Sequence, residues 1–314
     1  MSVAAGQQAA PRVAVIVPCF NEALTIAAVV QRATAALPGA TVYVYDNNSN
    51  DDTAAVARKA GAIVGSERAQ GKGNVVRRMF ADIDADIYVM VDGDNTYDLE
   101  AAPALIAEMR AQTLDFINAA RIDTQAEAYR AGHRLGNQLL SGMVQRIFGR
   151  QFADMLSGYK VFSRRFVKSF PAESQGFEIE TELTIHALEL RMPCGEIETA
   201  YGVRPAGSFS KLSTWRDGFR ILLLIGRLMR DERPFELFGT IALGFAIASL
   251  WLGIPVVIEF AQTHLVPRFP TAILATGVML VGVMSFSMGL VLDTVTKARR
   301  EAKRLAYLAQ PPPR

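Results

Sequence analysis

Cysteine is nearly absent from this chain: Cys19 and Cys194 are the two thiols in 314 residues. They form no metal-ligand spacing and no disulfide framework, which suits a reducing, cytosolic compartment. Excess charge of one sign is also missing. The formal net charge is +2, and no basic recognition motif appears, which argues against nucleic acid as a partner. The first residues lack the basic start and apolar core of a secretory signal, so 1–11 read as a flexible lead-in. Gly-x-Gly-x-x-Gly does not follow the first apolar run, which removes the usual mark of nicotinamide dinucleotide binding.

Long apolar runs, by contrast, are present near the C-terminus. Leu237 to Ile258 and Phe269 to Leu292 contain no charged residue, and each is long enough to cross a bilayer. The segment between them, Glu259–Arg268, carries one acid and one base. Arg216, Arg220, Arg227, Arg230 and Arg233 precede the first run; Lys297, Arg299, Arg300, Lys303 and Arg304 follow the second. By the positive-inside rule both flanks stay in the cytosol. The expectation is a multi-pass protein of the cytoplasmic membrane, with its large domain on the cytosolic side. Ahead of the first run, Trp215, Phe219, Leu222, Ile225 and Met229 recur at helical spacing. This amphipathic segment either lies in the membrane interface or packs on the soluble domain. The organisation expected is therefore a lead-in at 1–11, a large domain at 12–212 and a juxtamembrane helix at 213–234. Two transmembrane helices at 235–293 and a basic tail at 294–314 complete it.

In the soluble part, Val13–Val17, Thr41–Tyr45, Ala62–Gly65 and Ile87–Val91 read as short strands. Helical stretches at about 24–37, 52–60 and 74–83 separate them. Such alternation predicts an α/β fold, a mostly parallel sheet covered by helices on both faces. Ligands bind such sheets beyond the carboxyl ends of the strands, where three polar motifs fall. These are Pro18-Cys19-Phe20-Asn21-Glu22, Asp46-Asn47-Asn48-Ser49 and Asp92-Gly93-Asp94. Two carboxylates one residue apart present oxygen to a hard cation, and Mg²⁺ sites combine one or two carboxylates with substrate phosphates. Asp52 and Thr53 read as helix-start residues, with Ser49 or Asn50 as a cap. Gly71-Lys72-Gly73-Asn74 opens a helix, either bringing a lysine to a diphosphate or forming an ordinary turn. Glu178, Glu180 and Glu182 read as helix-start acids, with contact to sugar hydroxyls as the alternative.

In this order the motifs resemble family 2 glycosyltransferases of the GT-A fold, in particular the polyprenyl-phosphate branch that includes dolichol-phosphate mannose synthase and undecaprenyl-phosphate sugar transferases. Ala119-Ala120-Arg121, Ser157-Gly158-Tyr159 and the stretch from Arg204 to Lys211 extend the likeness over roughly residues 12–230. The resemblance implies that Pro18, Phe20, Glu22 and Asp46 hold the base and ribose of a nucleotide sugar. It places Lys72, Gly93 and Lys211 at the donor as well, with Arg204 and Lys211 closing over the diphosphate. Asp92 and Asp94 would bind Mg²⁺ or Mn²⁺; Thr96 stands where relatives carry a glutamine that joins the metal. Arg121 and Arg134 would hold the acceptor phosphate, with Arg130 competing for the second role. Asp154 would line the sugar and acceptor, positioning groups rather than acting as a base, because a phosphate monoester is largely anionic at neutral pH. The implied reaction is inverting, metal-dependent sugar transfer to a polyprenyl phosphate at the lipid bilayer. A homo-oligomer is compatible with it. Transfer to another membrane-associated lipid or glycan is the alternative, as is a non-catalytic nucleotide-sugar binding membrane protein. A processive polysaccharide synthase is disfavoured, because no Gln-x-x-Arg-Trp occurs and two spans build no channel.

Overall fold

The computed structural model describes residues 10–123, 142, 152–172, 174, 176, 178–202, 226–227 and 229–313. The chain divides into two compact units. The first comprises Met1–Phe219 together with Lys303–Arg314, and the second Arg220–Ala302.

The first unit is built on a seven-stranded sheet. Its strands are β1 (Val13–Cys19), β2 (Thr41–Asp46), β3 (Ile63–Ser66), β4 (Ile87–Met90), β5 (Phe116–Asp123), β6 (Lys160–Ser163) and β7 (Cys194–Tyr201), in the order β3-β2-β1-β4-β6-β5-β7. β1 pairs in parallel with β2 and β4, β2 with β3, and β5 with β7. Among the described strands, β6 alone runs against its neighbours, β4 and β5. The sheet is thus the mostly parallel one expected. Alternation of buried and exposed positions is absent from the central strand β4: Ile87 to Met90 is buried at every position, as a strand covered on both faces requires.

Helices α1 (Ile26–Ala36), α2 (Thr53–Lys59), α3 (Lys72–Asp82), α4 (Ala102–Ala111), α5 (Arg164–Ser169) and α6 (Ile179–Glu189) belong to this unit. In α1, Ile26, Val29, Val30 and Ala33 are buried, the spacing of one helical face. Each motif beyond β1, β2 and β4 contains an asparagine with positive φ: Asn21 at 53°, Asn48 at 64° and Asn95 at 58°. Asparagine enters the left-handed region more readily than other side-chain-bearing residues. The chain can therefore reverse tightly at these strand ends without glycine.

The second unit contains α7 (Pro234–Thr263) and most of α8 (Phe269–Leu308). These are two helices long and apolar enough to cross a membrane. Their packed seam repeats every seven residues, with Ala242, Ser249 and Val256 buried on α7 and Ala275, Gly282 and Gly289 on α8. Small residues let the backbones approach closely. A Cβ at Gly289 would lie 3.0 Å from the Phe238 Cβ, and Ser249 donates a 2.7 Å hydrogen bond to the Ala275 carbonyl. Large apolar side chains point away from this seam, among them Trp251 at 77% exposure and Met284 at 71%. The charges of the connection pair with each other, Arg268 Nε lying 3.3 Å from Glu259. α8 continues as helix well past its apolar stretch, to Leu308. Its 40 residues span about 60 Å, twice a hydrocarbon core of about 30 Å.

In the first unit, the last turns of α8 carry Lys303 and Tyr307 onto two acids of the sheet domain. Lys303 Nζ lies 2.8 Å from Glu189, and the Tyr307 hydroxyl donates to Asp115 at 2.7 Å. The Arg165 guanidinium grips the same Asp115 carboxylate and lies 4.6 Å from the Tyr307 ring centroid.

Candidate active site

The three asparagine turns gather Phe20–Glu22, Asp46–Ser49 and Asp92–Thr96 at one edge of the sheet. Thr25 at the start of α1 donates a 2.6 Å hydrogen bond to the Gly93 carbonyl. A Cβ at Gly93 would stand 2.7 Å from the Cys19 sulfur and 3.4 Å from the Glu22 Cγ, so glycine is what lets these two motifs touch. Cys19 is buried; its small side chain fits beneath that approach. The Glu22 amide donates to Thr53 and the Asn21 amide to Ser49, both at 2.8 Å. Ser49 thus ties two motifs together instead of capping α2. Asp52 is the residue preceding α2, as expected, but its side chain makes no capping bond.

Asp46 accepts the Ser49 amide at 3.1 Å through one oxygen. Its other oxygen, Oδ1, is buried without a hydrogen-bond partner. A carboxylate oxygen held away from water without a donor is costly, and a ligand hydroxyl or N–H would satisfy it. Its neighbour Asn47 was not singled out from sequence, yet it holds the approach to α3. Asn47 accepts the Gly71 amide at 2.7 Å and donates to the carbonyls of Glu67 and Ala69. Gly71 itself has φ 131°, a conformation open to glycine.

That turn delivers Lys72 to the centre of the site. Its ammonium contacts Asp92 and lies 2.6 Å from Glu180. Burial opposes the charged form, but the two carboxylates outweigh it and hold the Lys72 pKa above its ordinary value. Glu180 is raised, chiefly by burial and also by Asp92, although Lys72 pulls the other way. Glu180 and Glu182 do lie in the first turn of α6. Helix position alone gave no sign that Glu180 reaches across to Lys72. Asp94 is buried, and its Oδ1 accepts from the Thr96 hydroxyl at 2.6 Å and the Thr96 amide at 3.2 Å.

Among the described residues, no three His, Cys, Asp or Glu side chains gather to hold a metal unaided. Asp92 and Asp94 still fit a hard divalent ion that takes its other ligands from water and substrate phosphate. One observation favours this: Asp92 already carries a cation, the Lys72 ammonium.

The far wall comes from β5, β7 and the segment before β6. Arg121 grips Asp154 side-on, Nε at 2.7 Å and Nη2 at 2.8 Å, and its amide adds a 3.2 Å bond. Burial alone would favour the neutral acid, but Arg121 holds the Asp154 carboxyl below its usual range. The Arg121 guanidinium also lies 5.4 Å from the Tyr201 ring centroid. Gly158 closes the wall onto the Asp92 carboxylate, since a Cβ there would overlap its oxygens. Its amide donates to the Tyr97 hydroxyl at 2.8 Å. Arg134, its competitor Arg130, and Arg204 and Lys211 lie outside the described residues, as does most of the amphipathic segment 213–234.

A family model, Glycosyl transferase family 2, matches residues 14–170. The glycosyltransferase AglJ of Haloferax volcanii is 30% identical over 299 residues, covering 94% of this chain and 98% of its own. A dolichyl-phosphate hexose transferase of the same organism is 26% identical over 221 residues, 70% of this chain and 95% of its own. Among solved structures, Mycobacterium tuberculosis glucosyl-3-phosphoglycerate synthase in complex with Mn²⁺, UDP-glucose and phosphoglyceric acid superposes with a TM-score of 0.56. The match covers 68% of this chain and 79% of that one at 21% identity. It bears out the GT-A-like sheet with helices on both faces.

Proposed function

The chain belongs to glycosyltransferase family 2, and on that premise we propose that it moves a hexose from a nucleotide diphosphate sugar to a polyprenyl phosphate. The observation that carries the acceptor class is the pair of helices whose large apolar side chains face outward from their seam. Such faces suit lipid, and they keep a soluble-type site at the surface where a polyprenyl phosphate resides. The dolichyl-phosphate hexose transferase among the relatives supports the same acceptor. The basic flanks favour a cytosolic catalytic unit, where nucleotide sugars are available.

In this reading Phe20, Glu22 and Asp46 receive the nucleoside, with the free Asp46 oxygen meeting a ribose or base donor. Lys72 leaves Asp92 for the diphosphate while Glu180 keeps hold of it. Asp92 and Asp94 would hold Mg²⁺ or Mn²⁺, which neutralises charge developing on the leaving diphosphate. Arg204 and Lys211 add positive charge there. Arg121, aimed by Asp154, meets the acceptor phosphate with a charge-assisted grip, joined by Arg134. One phosphate oxygen attacks the anomeric carbon opposite the diphosphate. The glycosidic bond to phosphate forms as the bond to diphosphate breaks, and configuration inverts. No general base is needed, because the nucleophile is already anionic. Holding both reactants at the interface lowers the entropic part of the barrier.

The test is a panel of labelled UDP- and GDP-sugars with the purified chain and undecaprenyl or dolichyl phosphate, scored for lipid-extractable label. Label that requires the lipid phosphate is the expected result. Transfer only to a water-soluble acceptor would overturn the reading.

A further inference from the structure

Behind the Arg121–Asp154 pair lies a row of polar side chains across three strands. Lys160 on β6 is in register with Asn118 on β5, and Asn118 with Glu196 on β7. Lys160 is wholly buried, its ammonium 5.3 Å from the Phe116 ring centroid. Its donors go to neutral oxygens: Asn118 Oδ1 at 2.6 Å, Thr184 Oγ1 at 3.3 Å and the Met155 carbonyl at 3.4 Å. Asn118 passes the contact on, donating to the Asp154 carbonyl at 2.7 Å and to Glu196 at 2.8 Å. Glu196 accepts the amides of Ala153 at 2.8 Å and Asp154 at 3.2 Å. The backbone on both sides of Asp154 is thereby tied to the sheet. Thr184 bonds back to the Glu180 carbonyl at 3.0 Å, so the same ammonium also touches the helix whose Glu180 holds Lys72.

A buried ammonium is an expensive way to fill space, and an apolar side chain of the same length packs at lower cost. Burial depresses the Lys160 pKa to about 8, against the pull of Asp154 and Glu180. Three directed hydrogen bonds, which methionine lacks, are what the lysine supplies.

We propose that Lys160 is a positioning residue for sugar transfer: through Asn118 and Met155 it fixes the Ala153–Met155 backbone, and with it the aim of Arg121 at the acceptor phosphate. The inference rests on the reading of Arg121 given above. It goes beyond that reading by making acceptor use depend on a side chain that touches neither substrate.

The experiment compares the full-length protein with Lys160→Met, Glu196→Gln and Arg121→Ala in nanodiscs. Undecaprenyl phosphate is the acceptor, with the donor that supports turnover in the panel. UDP and GDP affinities are measured calorimetrically with Mn²⁺, and melting temperatures are recorded. Lys160→Met is expected to melt no lower than wild type, bind nucleotide within twofold, lose at least tenfold in kcat and raise the acceptor KM severalfold. Glu196→Gln, which loosens the same backbone, is expected to shift kcat and acceptor KM the same way by less. A purely structural lysine would lower the melting temperature and leave the split between acceptor KM and nucleotide affinity unmoved. If Arg121→Ala impairs acceptor use while both network variants keep wild-type kinetics, the positioning role is overturned and the acceptor reading stands. If Arg121→Ala leaves acceptor use unchanged, the acceptor reading falls and this role falls with it. Should Lys160→Met not accumulate, Glu196→Gln decides by the same criteria.

Discussion

Arg121 and Asp154 form a two-pronged ion pair, 2.7 and 2.8 Å, with side chains only 16% and 12% exposed. Removing one partner takes the paired counter-charge from a group that is mostly out of water. Asp154→Ala should therefore destabilise the protein by on the order of 3 kcal/mol, and Arg121→Ala by a similar amount. The double variant should lose less than the sum, with a coupling of roughly 1–3 kcal/mol. Melting of the four proteins checks this. Strict additivity would mean the pair is not formed in solution.

Asp92 and Asp94 are proposed as the cation ligands, and the test separates binding from chemistry. Asp92→Asn and Asp94→Asn should each lower turnover by on the order of 100-fold, as expected for losing several kcal/mol of charge stabilisation. Mn²⁺ bound in the presence of UDP, followed by electron paramagnetic resonance, should fall in parallel while melting stays near wild type. Wild-type turnover by a folded double variant in excess chelator would remove the metal from the mechanism.

Much of the site's near side was legible in the sequence because each motif directly follows a strand, and strand ends are local features. Val13–Cys19, Thr41–Asp46 and Ile87–Met90 carry their polar turns with them. The second half of the sheet was not foreseen. β6 is four residues long, begins with a lysine and runs antiparallel, so neither length nor hydrophobic alternation marks it. Glu180 escaped for another reason. An acid in the first turn of a helix has a sufficient local explanation, and its partner Lys72 is 108 residues away. The heptad of Ala242, Ser249, Val256 against Ala275, Gly282, Gly289 was visible in principle as small residues at sevenfold spacing. Average hydropathy hides it.

Charge gives the expected topology. Both basic flanks should face the cytosol, leaving the connection around His264 outside. Single cysteines placed at Gln262 and Gln310 in sealed vesicles should label from opposite sides. Labelling of Gln310→Cys by an impermeant reagent from the outer side would refute the hairpin.

The end of α8 is more than a basic tail, because Lys303 and Tyr307 meet Glu189 and Asp115, whose side chains are wholly buried. Tyr307→Phe removes one of the bonds to Asp115, which keeps Arg165 and Ser163; the loss should be about 1 kcal/mol. Lys303→Met takes one cation from the buried Glu189 and should cost more than the hydrogen bond from the neutral Tyr307 hydroxyl. Ending the chain at Ala302 removes both and should lower the melting temperature more than either substitution. Melting unchanged by truncation would show that the segment does not dock.

His186 supplies an acid sensitivity with a definite sign. The ring is 2% exposed, its Nε2 lies 3.0 Å from the Ser169 hydroxyl, and Phe166 and Phe170 present to it at 5.2 Å each. Burial chiefly, and the nearby Lys303 charge, push its pKa down from 6.5 to about 3. Between those values the unfolded chain binds a proton that the folded chain refuses. Stability is therefore whole above pH 6.5 and declines as pH falls toward about 3, losing roughly 1.4 kcal/mol per unit at most. At pH 5 the loss from this ring alone should be about 2 kcal/mol. His186→Leu isolates it, because the Ser169 hydroxyl keeps its 3.0 Å bond to the Phe166 carbonyl. Carboxylates titrate over the same range in both proteins, so the quantity to read is the difference between the two melting curves. Wild type should lose several degrees more than His186→Leu between pH 7 and pH 5. Equal losses would mean that the folded ring takes up its proton as readily as the unfolded one does.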